Sequence, residues 1–304
     1  MSTVSDHEVR PPLTLNDFER VRRVRIDEPE AVAAALAARE RRPLVQGDRR
    51  LFIIAADHPG RGALEVRGDV MAMADRYELL QRLTTALRRP GVDGVLGTPD
   101  IIDDLAVLGA LEGKIAVGSM NRGGLRGAAF EMDDRFTGYD IESLHRARLD
   151  FAKLLLRINL ADKGTVRTLE AGALAVSQAA AARMPIMIEP FMSEWADGKV
   201  RNVLTPDAVV TSIAVASALG SSSAYTWLKL PVVDEMERVM ASTTLPTLLL
   251  GGDPGGSPDE TYAAWANALT LPGVHGLVVG RTLLYPPDDD VAASVDAAAR
   301  LVHP

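Results

Sequence analysis

The chain has no cysteine, which rules out disulfides, thiolate metal sites and a thiol nucleophile. Aromatic residues make up only 5% of its 304 residues, and the formal net charge is −8. An acidic chain with few stacking rings is a poor match for nucleic acid, so no such partner is expected. No apolar run is long enough to span a bilayer, so no membrane partner is expected either. The first residues are polar (Ser2, Thr3, Ser5, Asp6) and lack the apolar core of a secretory signal. Together with the missing cysteine, this makes the cytoplasm the expected compartment. Histidine is also sparse, with five in all, which limits the metal sites the chain can build.

What is present is apolar surface, 47% of the residues, enough for one large core. No Pro/Ser-rich linker or low-complexity stretch divides it. After about fifty residues, short apolar runs alternate with Ala-rich amphipathic stretches. The runs are Leu51–Ala56, Gly94–Leu96, Ile115–Val117, Phe151–Ile158, Ile186–Glu189, Tyr225–Leu230, Thr247–Leu250 and Leu277–Val279. Helices are predicted between them over Asp69–Arg88, Asp100–Leu111, Ile141–Asp150, Thr165–Arg183, Pro206–Leu219, Val233–Ala241 and Asp259–Ala268. Eight strands alternating with helices indicate an α/β fold, a single (β/α)8 TIM barrel over 51–304. An open doubly wound sheet usually shows a GxGxxG turn after its first strand. Here that turn reads Asp57-His58-Pro59-Gly60. Residues 1–50 form a helical extension, with helices over Asn16–Val24 and Glu28–Arg41, an Asp27/Glu30 capping box, and a place over the N-terminal face of the barrel. Two long loops, Ser119–Tyr139 and Phe191–Thr205, follow strands and so belong to the C-terminal face.

Charge inside barrel strands is costly unless paired or used. Asp57 ends the first strand, Lys153 lies in the fourth, Glu189 ends the fifth and Lys229 lies in the sixth. Strands four and six have the same parity, so their inward residues can share a layer. A lysine amine attacks a ketone only when neutral, and both burial and a neighbouring ammonium favour that form. Lys229 is thus a candidate nucleophile and Lys153 the neighbouring charge, with Glu189 a proton shuttle and Asp57 a base on a substrate hydroxyl. The last two strands run into Gly251-Gly252-Asp253 and Gly280-Arg281, the usual barrel position for a phosphate. Arg122 and Arg126, with Asn121 beside them, are further loop candidates for substrate contact. The three tryptophans, 195, 227 and 265, read as packing residues.

The segments AADHPGRG (55–62), AKLLLRIN (152–159), MIEPFM (187–192), YTWLKLPVV (225–233), LLGGD (249–253) and GLVVGR (276–281) resemble the class I aldolases of the tagatose-1,6-bisphosphate and archaeal-type fructose-bisphosphate kind. The resemblance runs over roughly 50–285 in order. It implies a cofactor-free Schiff-base lyase in which Lys229 bears the imine and Lys153, Glu189 and Asp57 assist, acting on a phosphorylated keto sugar or keto acid. His58-Pro59 departs from the His-Gly more common in that group. The chain also resembles actinobacterial barrel proteins associated with inositol catabolism. That likeness implies 2-deoxy-5-keto-D-gluconate 6-phosphate as substrate, cleaved to dihydroxyacetone phosphate and malonate semialdehyde.

The rivals are weaker. A zinc aldolase needs several histidines, but His7, His145, His275 and His303 lie away from the expected site and only His58 is near it, so no metal is expected. A deoxyribose-phosphate-type aldolase would carry a lysine on strand seven, and a pyridoxal-phosphate barrel one on strand one; neither is there. A catalytically silent sugar-phosphate-binding barrel would keep the phosphate loops without needing reactive lysines. A homo-oligomer is the default expectation for a barrel enzyme.

Overall fold

Side chains alternate across a strand, so a strand covered on both faces reads as an unbroken apolar run. LFIIA at 51–55 is such a run: Leu51, Ile53 and Ala55 face inward while Phe52 and Ile54 face the helices, all at most 1% exposed. A computed structural model describes residues 12–121, 124–252 and 257–304. The strands in it are β1 (Leu51–Ala55), β2 (Gly94–Gly97), β3 (Ile115–Ser119), β4 (Phe151–Ile158), β5 (Ile186–Ala196), β6 (Lys199–Asn202), β7 (Thr226–Leu230), β8 (Thr247–Leu250) and β9 (Val274–Val279). All but β6 are parallel, in the order β4-β3-β2-β1-β9-β8-β7-β5, and β4 pairs with β5 to close the ring. The fold is a (β/α)8 barrel, as the strand–helix alternation predicts.

The helices are α1 (Leu15–Asp27), α2 (Glu30–Ala38), α3 (Arg76–Leu87), α4 (Pro99–Val107), α5 (Ile141–Arg146), α6 (Gly164–Ala182), α7 (Pro206–Ser217), α8 (Met236–Met240), α9 (Pro258–Ala268), α10 (Arg281–Leu284) and α11 (Val291–Val302). Several stop short of the lengths read from sequence. The helix expected from Asp69 begins only at Arg76, because the Asp75 carboxylate caps the Glu78 N–H. The one expected from Val233 begins at Met236, after Glu235 in a left-handed conformation. None of the described helices is long and apolar enough to cross a membrane.

Two local expectations are overturned. The Asp27/Glu30 box does not form, since α2 is preceded by Pro29 without a side-chain cap. The capping box lies one helix earlier, between Thr14 and Asp17. The segment from Phe191 to Thr205 is not a loop either. β5 runs on to Ala196 and turns back through Asp197-Gly198 into β6, with Ser193 opposite Asn202 and Ala196 opposite Lys199. Asp197 and Gly198 both have positive φ, 52° and 72°, which a two-residue hairpin of right-handed twist demands.

The N-terminal helices pack beside the barrel, against its outer helices, and do not themselves cover its N-terminal face. Arg25 of α1 pairs with Asp104 of α4, and Phe18 packs edge-on against Tyr77 of α3. The chain after α2 closes the N-terminal mouth. Arg39, 3% exposed, donates to Asp150 at 2.7 Å and to the carbonyls of Lys114 and Arg148, while Leu44 packs on the inner core.

Candidate active site

The barrel interior is apolar up to one level and charged immediately above it. Ala55, Phe151, Met187 and Trp227 belong to, or pack against, the inner apolar cluster. Two residues further along the same strands come Asp57, Lys153, Glu189 and Lys229. The period of two therefore delivers all four side chains to one layer at the C-terminal end.

They form a continuous charge chain. Lys153 Nζ donates to Asp57 at 2.7 Å and lies 2.8 Å from Glu189 Oε2, and Lys229 Nζ lies 3.0 Å from Glu189 Oε1. Lys153 and Lys229 are 2% and 4% exposed. Ser119, at the matching level of β3, donates to Asp57 at 3.4 Å and to the Asn121 carbonyl at 3.0 Å.

The two lysines are driven in opposite directions. Burial disfavours the charged form of Lys153, but Asp57 and Glu189 together outweigh it and raise its pKa above 10.5. Burial is also the largest influence on Lys229. Glu189 opposes it, Lys153 reinforces it, and the net is a pKa below 10.5. Burial alone would raise Glu189; the ammonium groups of Lys153 and then Lys229 hold it down to about 2. Asp57 is lowered in the same way, mainly by Lys153. The same burial thus ends differently for the two amines because Lys153 meets two carboxylates and Lys229 only one.

The ends of β8 and β9 lie alongside. A Cβ on Gly280 would stand 2.2 Å from the Ala55 carbonyl oxygen and 3.1 Å from His58 Cε1, and one on Gly251 would stand 2.5 Å from Val279 Cγ1. Gly252 has φ +69°, which favours glycine. Arg281 donates to the Glu65 carbonyl at 3.3 Å. The His58 side chain is 15% exposed, and desolvation, against the pull of Asp57, holds its pKa well below the usual 6.5.

Above this layer a cavity of about 1170 Å³ opens at the C-terminal mouth, with Arg61, Arg126, Arg157 and Arg281 among its lining. Arg122 and Asp253 lie outside the described residues. Arg126 pairs with Glu65 at 3.0 Å. The loop after β3 is packed down by Asn121, whose amide donates to Leu155 O and Asp134 and accepts from Leu155 N at 2.8 Å. Arg157, Arg61 and Glu131 line the mouth without having been singled out from sequence. Arg157 had a usable signal, because it is a charge inside a predicted strand with the parity of Lys153. Among the described residues, no group of three or more His, Asp or Glu is arranged to hold a metal ion.

The model of one protein family, described as Cgl0159-like, matches residues 49–299. The chain belongs to the Cgl0159-like family. The crystal structure of Cgl0159 from Corynebacterium glutamicum (Brevibacterium flavum) is 65% identical, with 96% of this chain and 99% of that one covered and a TM-score of 0.94. Two more distant structures share the fold. An archaeal fructose-1,6-bisphosphate aldolase, described with its catalytic Lys covalently bound to the carbinolamine intermediate of the substrate, is 18% identical at TM-score 0.62, covering 89% of this chain and 99% of its own. Fructose-bisphosphate aldolase from Slackia heliotrinireducens is 14% identical at TM-score 0.64, covering 99% of this chain and 91% of its own. Comparison with curated proteins gave no match.

Proposed function

We propose that this Cgl0159-like chain is a class I aldolase that makes or breaks a C–C bond in a phosphorylated keto sugar or keto acid through an imine on Lys229. The observation that carries the reading is the asymmetry of the two buried lysines. Lys153 is held charged by two carboxylates, while Lys229 is pushed towards neutrality beside it. The shared fold of the structurally similar aldolases is compatible with it.

In the cleavage direction the neutral Lys229 amine attacks the ketone carbon. Glu189, 3.0 Å from that amine, relays a proton from the attacking nitrogen to the alkoxide to give the carbinolamine; the proton that Lys229 shed on becoming neutral is then delivered to that hydroxyl, which leaves as water. The resulting iminium draws in the electrons of the adjacent C–C bond. As that bond breaks, Asp57 takes the proton of the hydroxyl that becomes the aldehyde. Reprotonation and hydrolysis of the enamine release the ketone product and free Lys229. Lys153 remains charged throughout, countering Asp57 and Glu189. Gly251, Gly252, Gly280 and Arg281 are assigned to the phosphate, through backbone N–H groups and one guanidinium. The finer substrate reading, resting on the resemblance to inositol-catabolism-associated barrels, is 2-deoxy-5-keto-D-gluconate 6-phosphate.

The test is borohydride reduction in the presence of dihydroxyacetone phosphate, read by intact mass and peptide mapping. A stable adduct on Lys229, absent in Lys229→Met, is the expected result. A folded protein that forms no adduct with dihydroxyacetone phosphate, pyruvate or a panel of keto sugars would overturn the reading in favour of a silent binding barrel.

A further inference from the structure

The mouth carries more positive charge than one phosphate uses. Seven of the fifteen residues lining the cavity are Arg or Lys, and two are acidic, in a chain whose net charge is −8. Cations concentrated against the sign of the whole molecule, in a cleft, mark an anion's seat.

Two of these cations are set apart by position. Arg157 lies four residues beyond Lys153 on the same inward face of β4, about 13 Å further along the strand towards the mouth. Its side chain is 12% exposed, Nη1 pairs with Glu131, and its Nε is buried without a hydrogen-bond partner. Arg61 is close enough for its charge to act on Arg157, and its side chain has no ion pair among the described residues. The carboxylate that Arg157 meets, that of Glu131, is 3% exposed and also accepts from Gly127 N–H at 3.0 Å.

The ring order gives this pair its meaning. β4 is four strands from β9 by either route round the barrel, so Arg157 faces the Gly280-Arg281 end of β9 across the mouth. The Asp57–Lys153–Glu189–Lys229 layer lies beneath. A linear substrate with its phosphate at β8 and β9 and its ketone over Lys229 must direct its other end towards β4.

Resting on the aldolase reading, we propose that Arg157, with Arg61, is the specificity-determining seat for a second anionic group, a carboxylate or a phosphate, on the aldehyde half of the substrate. Arg157 offers the planar fork that binds either group bidentately. Glu131 holds that fork in place in the free protein.

The experiment is aldol condensation of dihydroxyacetone phosphate with four acceptors: malonate semialdehyde against propanal, and glyceraldehyde 3-phosphate against glyceraldehyde. The wild-type enzyme is expected to favour the anionic member of one pair in kcat/KM by at least about tenfold, the scale of a charge-assisted hydrogen bond. Whichever pair shows the preference identifies the anion. Arg157→Met should collapse that preference while leaving borohydride trapping at Lys229 intact. Arg157→Lys should retain part of the preference. Because Arg157→Met strips Glu131 of its partner, the double variant Arg157→Met/Glu131→Gln is run beside it as the folding control. Wild-type enzyme indifferent to acceptor charge, or folded Arg157 variants that keep the full preference, would overturn the seat while imine trapping stands. Absence of any imine would overturn the aldolase reading itself, and the seat with it.

Discussion

Replacing Lys153 by Met should move the pH dependence of imine formation without removing the nucleophile. Glu189 bridges the two amines through separate oxygens, at 2.8 and 3.0 Å. With the nitrogens taken as about 6 Å apart and an effective dielectric constant of about 20, their repulsion is about 3 kcal/mol. Removing the Lys153 charge raises the pKa of Lys229, and the carboxylates of Asp57 and Glu189, now facing a single cation, pull it further the same way. On the acid side of the limb, the neutral fraction of Lys229 then falls about 100-fold. The assay is the rate of borohydride-trapped adduct with dihydroxyacetone phosphate, measured from neutral to strongly alkaline pH. The rising limb should shift to the alkaline side, with much of the maximum recovered beyond it. The substitution also strands buried carboxylate charge at a cost of about 3–5 kcal/mol, so the same profile is taken with Lys153→Met/Asp57→Asn, which removes one charge of each sign. A purely structural Lys153 would lower the yield and leave the limb where it was; that outcome refutes the electrostatic coupling.

At the opposite end of the barrel, His303 lies 2.6 Å from Asp48 and 3.1 Å from Asp93. The bond to Asp93, opposed by partial burial and reinforced by Asp48, raises its pKa above 6.5. The stabilisation is therefore complete below the unfolded value and is lost as pH rises through the folded one. His303→Gln should lower Tm more at about pH 5.5 than at about pH 8.5, and an equal loss at both would refute the linkage. Gly280→Ala should destabilise by about 1–3 kcal/mol by overpacking against the Ala55 carbonyl. Gly252→Ala, with open space around it but φ +69°, should cost about 1 kcal/mol. Chemical denaturation separates the two, and the reverse ranking would contradict the close approach at Gly280.

The fold and the innermost charged layer were legible in the sequence because both follow from local periodicity. Eight apolar runs separated by helical stretches allow few arrangements other than a closed parallel sheet. Strand parity alone puts Asp57, Lys153, Glu189 and Lys229 one inward step above Ala55, Phe151, Met187 and Trp227. Two further features are readable along the chain as well. Asp197-Gly198 is a hairpin signal inside what reads as a loop, and Arg157 obeys the same parity argument as Lys153.

Other properties belong to the tertiary structure alone. Which lysine stays charged depends on Asp57 lying 2.7 Å from Lys153, a partner 96 positions away, and no local pattern encodes that distance. That Arg157 faces Arg281 follows from the ring order and its β4–β5 closure. The plug of the N-terminal mouth, where Arg39 reaches Asp150 across 111 positions, is likewise a product of chain closure. Periodicity acts through neighbours a few residues apart and so can be read along the chain. Electrostatics and mouth geometry act through whichever distant groups the closed barrel brings within a few ångströms, and they exist only once it has closed.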